Sequence, residues 1–347
     1  MIDLKNATVL ITGAAGFIGA FLSKALLEQF PGISVVGIDN LNDYYDPGLK
    51  RDRLALLAPF ESFIFHRVDL ADKAALQQIF ETYRPQLAVN LAAQAGVRYS
   101  ITHPDAYISS NLVGFYDLLE CCRHYPVEHL VYASSSSVYG SNQKVPYATG
   151  DQADHPVSLY AATKKADELM AHAYSKLYGI PATGLRFFTV YGPMGRPDMA
   201  YFSFTDKLVR GEKLSLFNYG DMRRDFTYID DIVDGVLRVL QKPPAETEAG
   251  ARCRIYNIGN NHPESLTRFV DILEGCLLEA GVIRKPGERE LLAMQPGDVY
   301  QTYADISDLE RDFGFRPTTR LEEGLRKFAA WYQTYVPGGH SEGGEDR

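Results

Sequence analysis

Gly13-Ala14-Ala15-Gly16-Phe17-Ile18-Gly19 decides the fold through what stands on either side of it. The run before it, Ala7-Thr8-Val9-Leu10-Ile11-Thr12, is short and apolar and reads as a strand, while residues 17–29 carry a helical pattern. Glycines at a strand-to-helix junction permit a tight turn, bring backbone close to a pyrophosphate, and let helix and strand pack closely. The helix N-terminus adds free N–H groups and a partial positive charge. Asp39 lies twenty residues beyond Gly19, at the end of a second apolar run, Val35-Val36-Gly37-Ile38. A carboxylate there accepts hydrogen bonds from the adenosine ribose hydroxyls and repels a 2′-phosphate, which favours NAD over NADP. The glycines alone would be a turn; with Asp39 at this spacing they are a dinucleotide site.

Working outward, short apolar runs alternate with helical stretches through the first half. Further strands are predicted at 63–65, 87–91, 129–133 and 182–186, with helices near 73–83, 105–124 and 159–178. This alternation predicts an α/β fold, a Rossmann doubly wound parallel sheet with both faces covered. Two more strand ends fit the cofactor: Asp69-Leu70 after the third strand, and Asn90-Leu91-Ala92-Ala93 after the fourth, where small residues leave room. Beyond about residue 187 glycine, proline and aromatic residues thicken. The expected division is a NAD-binding domain at 1–186, joined by a returning helix near 229–241, and a smaller discontinuous substrate-binding lobe within 187–336. Residues 337–347 show no apolar periodicity and are expected to be a disordered tail.

The 347 residues are 46% hydrophobic and carry a formal charge of −9, which excludes wholesale disorder. No Lys/Arg-rich run offers a footprint for nucleic acid. The cysteines, Cys121, Cys122, Cys253 and Cys276, have no zinc-ligand spacing and read as reduced thiols, with no metal expected. No stretch of about 18 apolar residues suggests a membrane span, and the expected location is the cytoplasm.

Ser134-Ser135-Ser136-Ser137-Val138-Tyr139-Gly140 follows the fifth strand, and Tyr160-Ala161-Ala162-Thr163-Lys164 opens the next long helix. Residues four apart share a helix face, so Lys164 stands beside Tyr160, and an ammonium there favours the phenolate a proton acceptor needs. A serine hydroxyl can hydrogen-bond a substrate oxygen as charge develops on it. Spacing alone does not say which of the four serines points inward.

With these motifs in this order, the chain resembles the extended short-chain dehydrogenase/reductase superfamily over about residues 5–335. Within its NAD-dependent epimerase/dehydratase family it looks most like UDP-glucuronate 4-epimerases. The match rests on Asp39-Asn40-Leu41-Asn42-Asp43-Tyr44-Tyr45-Asp46, Ala92-Ala93-Gln94-Ala95-Gly96-Val97-Arg98-Tyr99-Ser100, Arg186-Phe187-Phe188-Thr189-Val190-Tyr191-Gly192-Pro193, Gly195-Arg196-Pro197-Asp198-Met199-Ala200 and Arg223-Arg224-Asp225-Phe226-Thr227-Tyr228-Ile229-Asp230-Asp231. The resemblance implies Ser135, Tyr160 and Lys164 as the catalytic set. It adds Asn40, Leu91, Asn111, Ser134 and Phe187 to the cofactor contacts. Arg98, Ser136, Phe202 or Phe204, Lys207, Arg224 and Asp298 are implied for the UDP-sugar, with Thr189 and Arg196 holding a hexuronate carboxylate.

The implied reaction is a transient oxidation at C4 of UDP-glucuronate and return of the hydride to the opposite face, giving UDP-galacturonate. Dehydratases of this superfamily place an acidic pair after the catalytic hydroxyl, where this chain has Ser136 and Ser137. The alternatives are a UDP-galactose or UDP-N-acetylhexosamine 4-epimerase, a UDP-glucuronate decarboxylase, and a non-catalytic NAD-binding protein, which has no need of all three catalytic residues. The resemblance also implies a homodimer through helices near 105–124 and 159–178.

Overall fold

The structure, a computed structural model, describes residues 1–248, 250–294 and 300–335. Asp298 and the tail at 337–347 lie outside the described residues. Seven parallel strands form the central sheet: β1 (Thr8–Thr12), β2 (Ser34–Asp39), β3 (Phe63–Arg67), β4 (Leu87–Asn90), β5 (His129–Ser135), β6 (Ala182–Phe187) and a seventh, Cys253–Ile258. The seventh is β10, because β7 (Thr189–Tyr191), β8 (Leu214–Leu216) and β9 (Arg223–Tyr228) precede it. The order across the sheet is β10-β6-β5-β4-β1-β2-β3, which reverses direction between β1 and β4. Ligands of open α/β sheets bind at the carboxyl ends beside such a switch point.

Side chains leave these strands alternately to two buried clusters, one on each face. Val9 and Ile11 of β1 join one cluster and Leu10 the other; Leu87 and Val89 of β4 part from Ala88 in the same way. A strand buried on both faces needs an unbroken apolar run rather than an alternating one. Each fully buried Val, Leu or Ile contributes about 1.5–3 kcal/mol.

Cys253–Ile258 corrects the expected domain limits, which gave residues 187–336, apart from the returning helix, to the second lobe. It pairs with β6 in parallel register, Cys253 opposite Ala182 and Ile258 opposite Phe187. The reason lies in the helix Ile229–Leu240, which packs against Phe17–Gln29 and carries the chain back across the sheet to the edge of β6. The expected helix at 105–124 is also interrupted: Pro104–Tyr107 and Gly114–His124 flank a π-helical turn, Ile108–Val113. Apart from the main sheet, three strands are ordered β11-β9-β7, with β11 at Pro263–Ser265, and β8 pairs with β12 (Arg289–Leu291). Helices Leu266–Glu279 and Leu321–Thr334 pack on each other beneath them.

His129, at the start of β5, is fully buried between two polar partners. Its Nδ1 lies 3.1 Å from the Leu240 carbonyl and its Nε2 2.8 Å from the Thr183 hydroxyl. A carbonyl only accepts, so the proton sits on Nδ1 and the ring is neutral. Burial lowers its pKa from 6.5 to about 4. The unfolded chain therefore takes up this proton first as pH falls, and stability present above pH 6.5 is lost between 6.5 and about 4. The expected contribution is roughly 3 kcal/mol over that window. Chemical denaturation at several pH values should show a flatter dependence for His129→Asn than for the wild type. Equal slopes would remove His129 from the account.

Candidate active site

The first helix, Phe17–Gln29, starts at Gly16 with no side chain capping its first turn. Elsewhere Asp46, Asp72, Ser158 and Ser265 each cap a helix with a side-chain oxygen. The Phe17 end thus keeps its N–H groups for a ligand. Gly13 has φ +71°, and a Cβ on it would stand 2.7 Å from the Ala92 nitrogen. On Gly19 a Cβ would meet the Gly13 carbonyl oxygen at 2.1 Å. These contacts admit glycine alone and press the turn against the loop after β4, leaving a backbone-walled cradle that fits a dinucleotide pyrophosphate.

Above the strand ends lies one large cleft of about 850 Å³. Gly13, Gly16, Phe17, Ile18, Gly19, Asp39, Asn40, Asp69, Leu70, Leu91, Ala92 and Ala93 line it beside the carboxyl ends of β1 to β4. Asp39 accepts from the Ala15 and Leu41 N–H groups at 3.2 and 2.9 Å, which fixes its carboxylate beside the glycine turn. Asp69 accepts from the Asn40 amide at 2.8 Å. Thr12 bridges β1 and β4 by donating to Asn90 and accepting from the Ala92 N–H.

Ser134, Ser135, Ser136, Tyr160, Lys164 and Phe187 line the middle. The serine run is resolved by its hydrogen bonds. Ser134 donates to the buried Glu168 carboxylate at 2.7 Å, and Arg186 grips the same carboxylate through two nitrogens at 2.7 and 2.8 Å. Burial pushes Glu168 up, but the Arg186 guanidinium outweighs it and holds the carboxyl below its ordinary range. Ser134 is thereby committed to the fold. Ser135, on the opposite side of the strand, accepts from the Ser137 N–H at 3.2 Å and keeps its proton for a ligand.

Tyr160 stands in the first turn of Leu159–Tyr178, capped by Ser158, with Lys164 one turn on and the Tyr107 ring edge-on at 6.0 Å. Lys164 Nζ lies 3.0 Å from Asp167, and both are buried. Burial raises the Asp167 pKa to about 6 against the pull of Lys164. Asp167, three residues beyond Lys164 on the same helix, went unnoticed in the sequence because the spacing does not show burial; only folding closes water off from both partners.

Arg98, Thr189, Arg196 and Arg224 line the same cleft, three cations in a chain of net negative charge. Arg196 holds a planar carboxylate already: Asp198 accepts from its Nε at 3.0 Å and from its Nη2, and also from the Tyr44 hydroxyl at 3.2 Å. Burial pushes Asp198 up, yet the Arg196 charge keeps it low; burial and Asp198 together push Tyr44 to about 12. The Arg98 guanidinium stacks over Phe217 at 5.7 Å.

Three expectations are corrected. Phe202 does not face the cleft; it is buried among Phe328, Trp331 and Tyr332, at 5.7–5.9 Å between ring centroids. Phe204 lines the cleft, with Phe217 and Met222, which the sequence did not single out. Helical phase decides it, since residues two apart point to different faces. Lys207, a further turn along that helix, is likewise not among the lining residues. Asn111 is fully buried rather than on the cleft. It accepts from the Gln94 N–H at 2.8 Å and donates to the Gln94 carbonyl and the Thr163 hydroxyl, tying the β4 loop to the catalytic helix. Among the described residues no cluster of metal-ligating groups occurs and no helix is long and apolar enough to cross a membrane.

A doubly wound parallel sheet with a glycine turn, a ribose-side carboxylate and Ser, Tyr and Lys in one cleft defines a dinucleotide-dependent enzyme of the short-chain dehydrogenase/reductase type. The model of the NAD dependent epimerase/dehydratase family matches residues 9–259, and the chain belongs to that family. It is 50% identical to protein CapI of Staphylococcus aureus, covering 94% of this chain and 98% of the relative. It is 48% identical to UDP-glucuronate 4-epimerase 3 of Arabidopsis thaliana, covering 96% of this chain and 78% of that one. The crystal structure of UDP-glucuronic acid 4-epimerase from Bacillus cereus, in complex with UDP-glucuronic acid and NAD, superposes with a TM-score of 0.84 at 33% identity, covering 94% of this chain and all of that one.

The hydrogen bonds separate the two serines experimentally. Ser135→Ala should lower turnover by about 10²-fold or more with little change in melting temperature. Ser134→Ala should instead cost about 1.5–3 kcal/mol of stability by removing a buried bond to a charged group, and leave turnover within a few-fold. A reversed pattern would exchange their roles.

Proposed function

We propose that this chain is an NAD-dependent UDP-hexuronate 4-epimerase, converting UDP-glucuronate to UDP-galacturonate through a transient 4-keto sugar. The observation that carries the acidic-sugar reading is Arg196, a guanidinium that pairs with a carboxylate in the same cleft as Ser135, Tyr160 and Lys164. A planar fork of donors suits a carboxylate better than a hydroxyl. The likeness to relatives named UDP-glucuronate 4-epimerase supports the same reading.

The glycine turn, Asp39 and Lys164 would hold NAD, which supplies the acceptor and then the donor of the C4 hydride. Tyr160 takes the proton of the 4-hydroxyl and later returns it. Lys164, one turn along the helix, stabilises the phenolate, and Ser135 donates to the sugar oxygen as charge builds there. Thr189 and Arg196 hold the sugar carboxylate. That group is β to the new ketone and leaves as carbon dioxide when its bond aligns with the carbonyl π system, so a fixed grip suppresses decarboxylation. Ser136 and Ser137, also on the cleft wall, supply no acid for dehydration.

The proposal extends to a cytoplasmic homodimer. Four unpaired thiols suit a reducing compartment. Val113, Tyr116, Leu169 and Leu177 are exposed on or beside Gly114–His124 and Leu159–Tyr178, an apolar face of the kind that pairs two copies. Leu177→Glu should shift the sedimenting species from dimer to monomer; an unchanged species would reject this face.

Incubation with UDP-glucuronate and no added cofactor should yield UDP-galacturonate. Release of carbon dioxide with a pentose product would point to the decarboxylase, and conversion of UDP-glucose alone to the neutral-sugar epimerase. Arg196→Ala should weaken UDP-glucuronate by about one to two decades while UDP-glucose, which lacks the carboxylate, changes little. Equal weakening of both would show that Arg196 serves the shared UDP portion.

A further inference from the structure

Arg53 lies on the helix Pro47–Ala55 and is fully buried, yet it does not line the cleft. Its guanidinium spans three segments that are distant in sequence. Nη1 donates to the Ala15 carbonyl, inside the glycine turn, at 3.2 Å and to the Tyr45 hydroxyl at 2.6 Å. Nε donates to the Met194 carbonyl at 2.8 Å and Nη2 to the Gly195 carbonyl at 3.1 Å. The guanidinium also stands over the Tyr45 and Phe17 rings, 5.4 and 6.0 Å from their centroids.

Three physical points single this residue out. First, burying a guanidinium against neutral acceptors costs solvation that nearby apolar packing would avoid. Second, the Gly195 carbonyl belongs to the peptide that enters Arg196, so Arg53 fixes the backbone from which Arg196 projects. Third, that backbone is strained: Met194 sits at φ +56°, a left-handed conformation that non-glycine residues rarely adopt. Such a conformation persists only where the surroundings over-determine it, and here two bonds from Arg53 fall on consecutive carbonyls. A Cβ on Gly195 would collide with the Tyr201 hydroxyl, so the turn is packed tightly from its other side as well.

The other end of the connection is the cofactor turn. Ala15 donates its N–H to Asp39 and gives its carbonyl to Arg53, so one peptide-bonded residue joins the ribose-side carboxylate to the arginine. From Asp39 through Ala15 and Arg53 to Gly195 and Arg196, the ribose-side carboxylate and the cleft arginine share one run of hydrogen bonds and peptide units.

We propose that Arg53 is a positioning residue for recognition of the sugar carboxylate: by clamping the Met194 and Gly195 carbonyls to the dinucleotide turn it sets Arg196 in place, so selectivity for an acidic nucleotide sugar depends on a side chain that touches neither ligand. The proposal rests on the reading that Arg196 meets the carboxylate.

Equilibrium binding of UDP-glucuronate and UDP-glucose to the full chain, saturated with NAD and with melting temperature followed alongside, tests it. Arg53→Lys keeps the charge but loses the planar fork that reaches two carbonyls at once. UDP-glucuronate should bind about tenfold more weakly and UDP-glucose within about twofold of wild type. Adding Met194→Gly, which relieves the left-handed strain, should restore most of the lost affinity. Met194→Val attacks the same turn with Arg53 intact, because a β-branched residue tolerates positive φ poorly. It should reproduce the selective loss, and it carries the test if Arg53→Lys does not fold. Equal weakening of both nucleotides in a folded variant, or unchanged binding of UDP-glucuronate, overturns the proposal. Arg196→Ala measured in parallel keeps two failures apart. If it weakens both nucleotides equally, the carboxylate reading itself fails. If it is selective while Arg53→Lys and Met194→Val are not, only the role of Arg53 is lost.

Discussion

The rest of the site depends on a close approach between two backbones, where the turn at Gly13 meets the chain leaving β4. A Cβ at Gly13 would stand 2.7 Å from the Ala92 nitrogen, so no other residue lets the first helix begin so near the switch point of the sheet. From that contact follow the uncapped helix end, the placing of Ala15 against Asp39, and the open volume above the carboxyl ends of β1, β4 and β5. Wider separation there would fill the cradle with side chain and separate the cofactor end of the cleft from its catalytic middle.

Around this contact the protein places charge where apolar packing would serve stability equally well. Glu168 and Arg186 are both buried, as are Lys164 and Asp167. Buried pairs add little net stability over an apolar core, while removing one partner is costly. Their effect here is geometric. Glu168 lies on the catalytic helix and binds Ser134 and Arg186 on β5 and β6, so that the helix bearing Tyr160 and Lys164 keeps one register against the strand bearing Ser135. Asn111 does comparable work with neutral groups, joining the β4 loop to Thr163 on the same helix.

The substrate side of the cleft is built differently, from the short strands that carry Thr189 and Arg224 and from the loop that carries Arg196. The segment at 192–198 carries a left-handed Met194, a glycine enclosed by Tyr201, and the Arg196–Asp198 pair reached by Tyr44 from the loop after β2. Loops held from outside in this way are where members of one fold come to differ in ligand while the dinucleotide end stays the same.

The sequence by itself determined the parallel sheet, the glycine turn with Asp39, and the four-residue spacing of Tyr160 and Lys164 after a run of serines, because each is encoded locally. Apolar runs, a strand-to-helix junction and a four-residue helical spacing are short-range patterns that need no knowledge of distant contacts. Only the tertiary structure decided that Cys253–Ile258 closes the main sheet, since its partner β6 lies some seventy residues earlier and its crossover runs through the helix Ile229–Leu240. The same holds for Ser134 against Ser135, settled by Glu168, and for Phe202 against Phe204, settled by helix phase against Phe328 and Trp331. Arg53 is the extreme case: to the sequence it is one basic residue among several on a short helix, and its meaning lies wholly in carbonyls 38 and 141 residues away. Burial and long-range hydrogen bonding are properties of the folded chain, and local pattern carries no record of them.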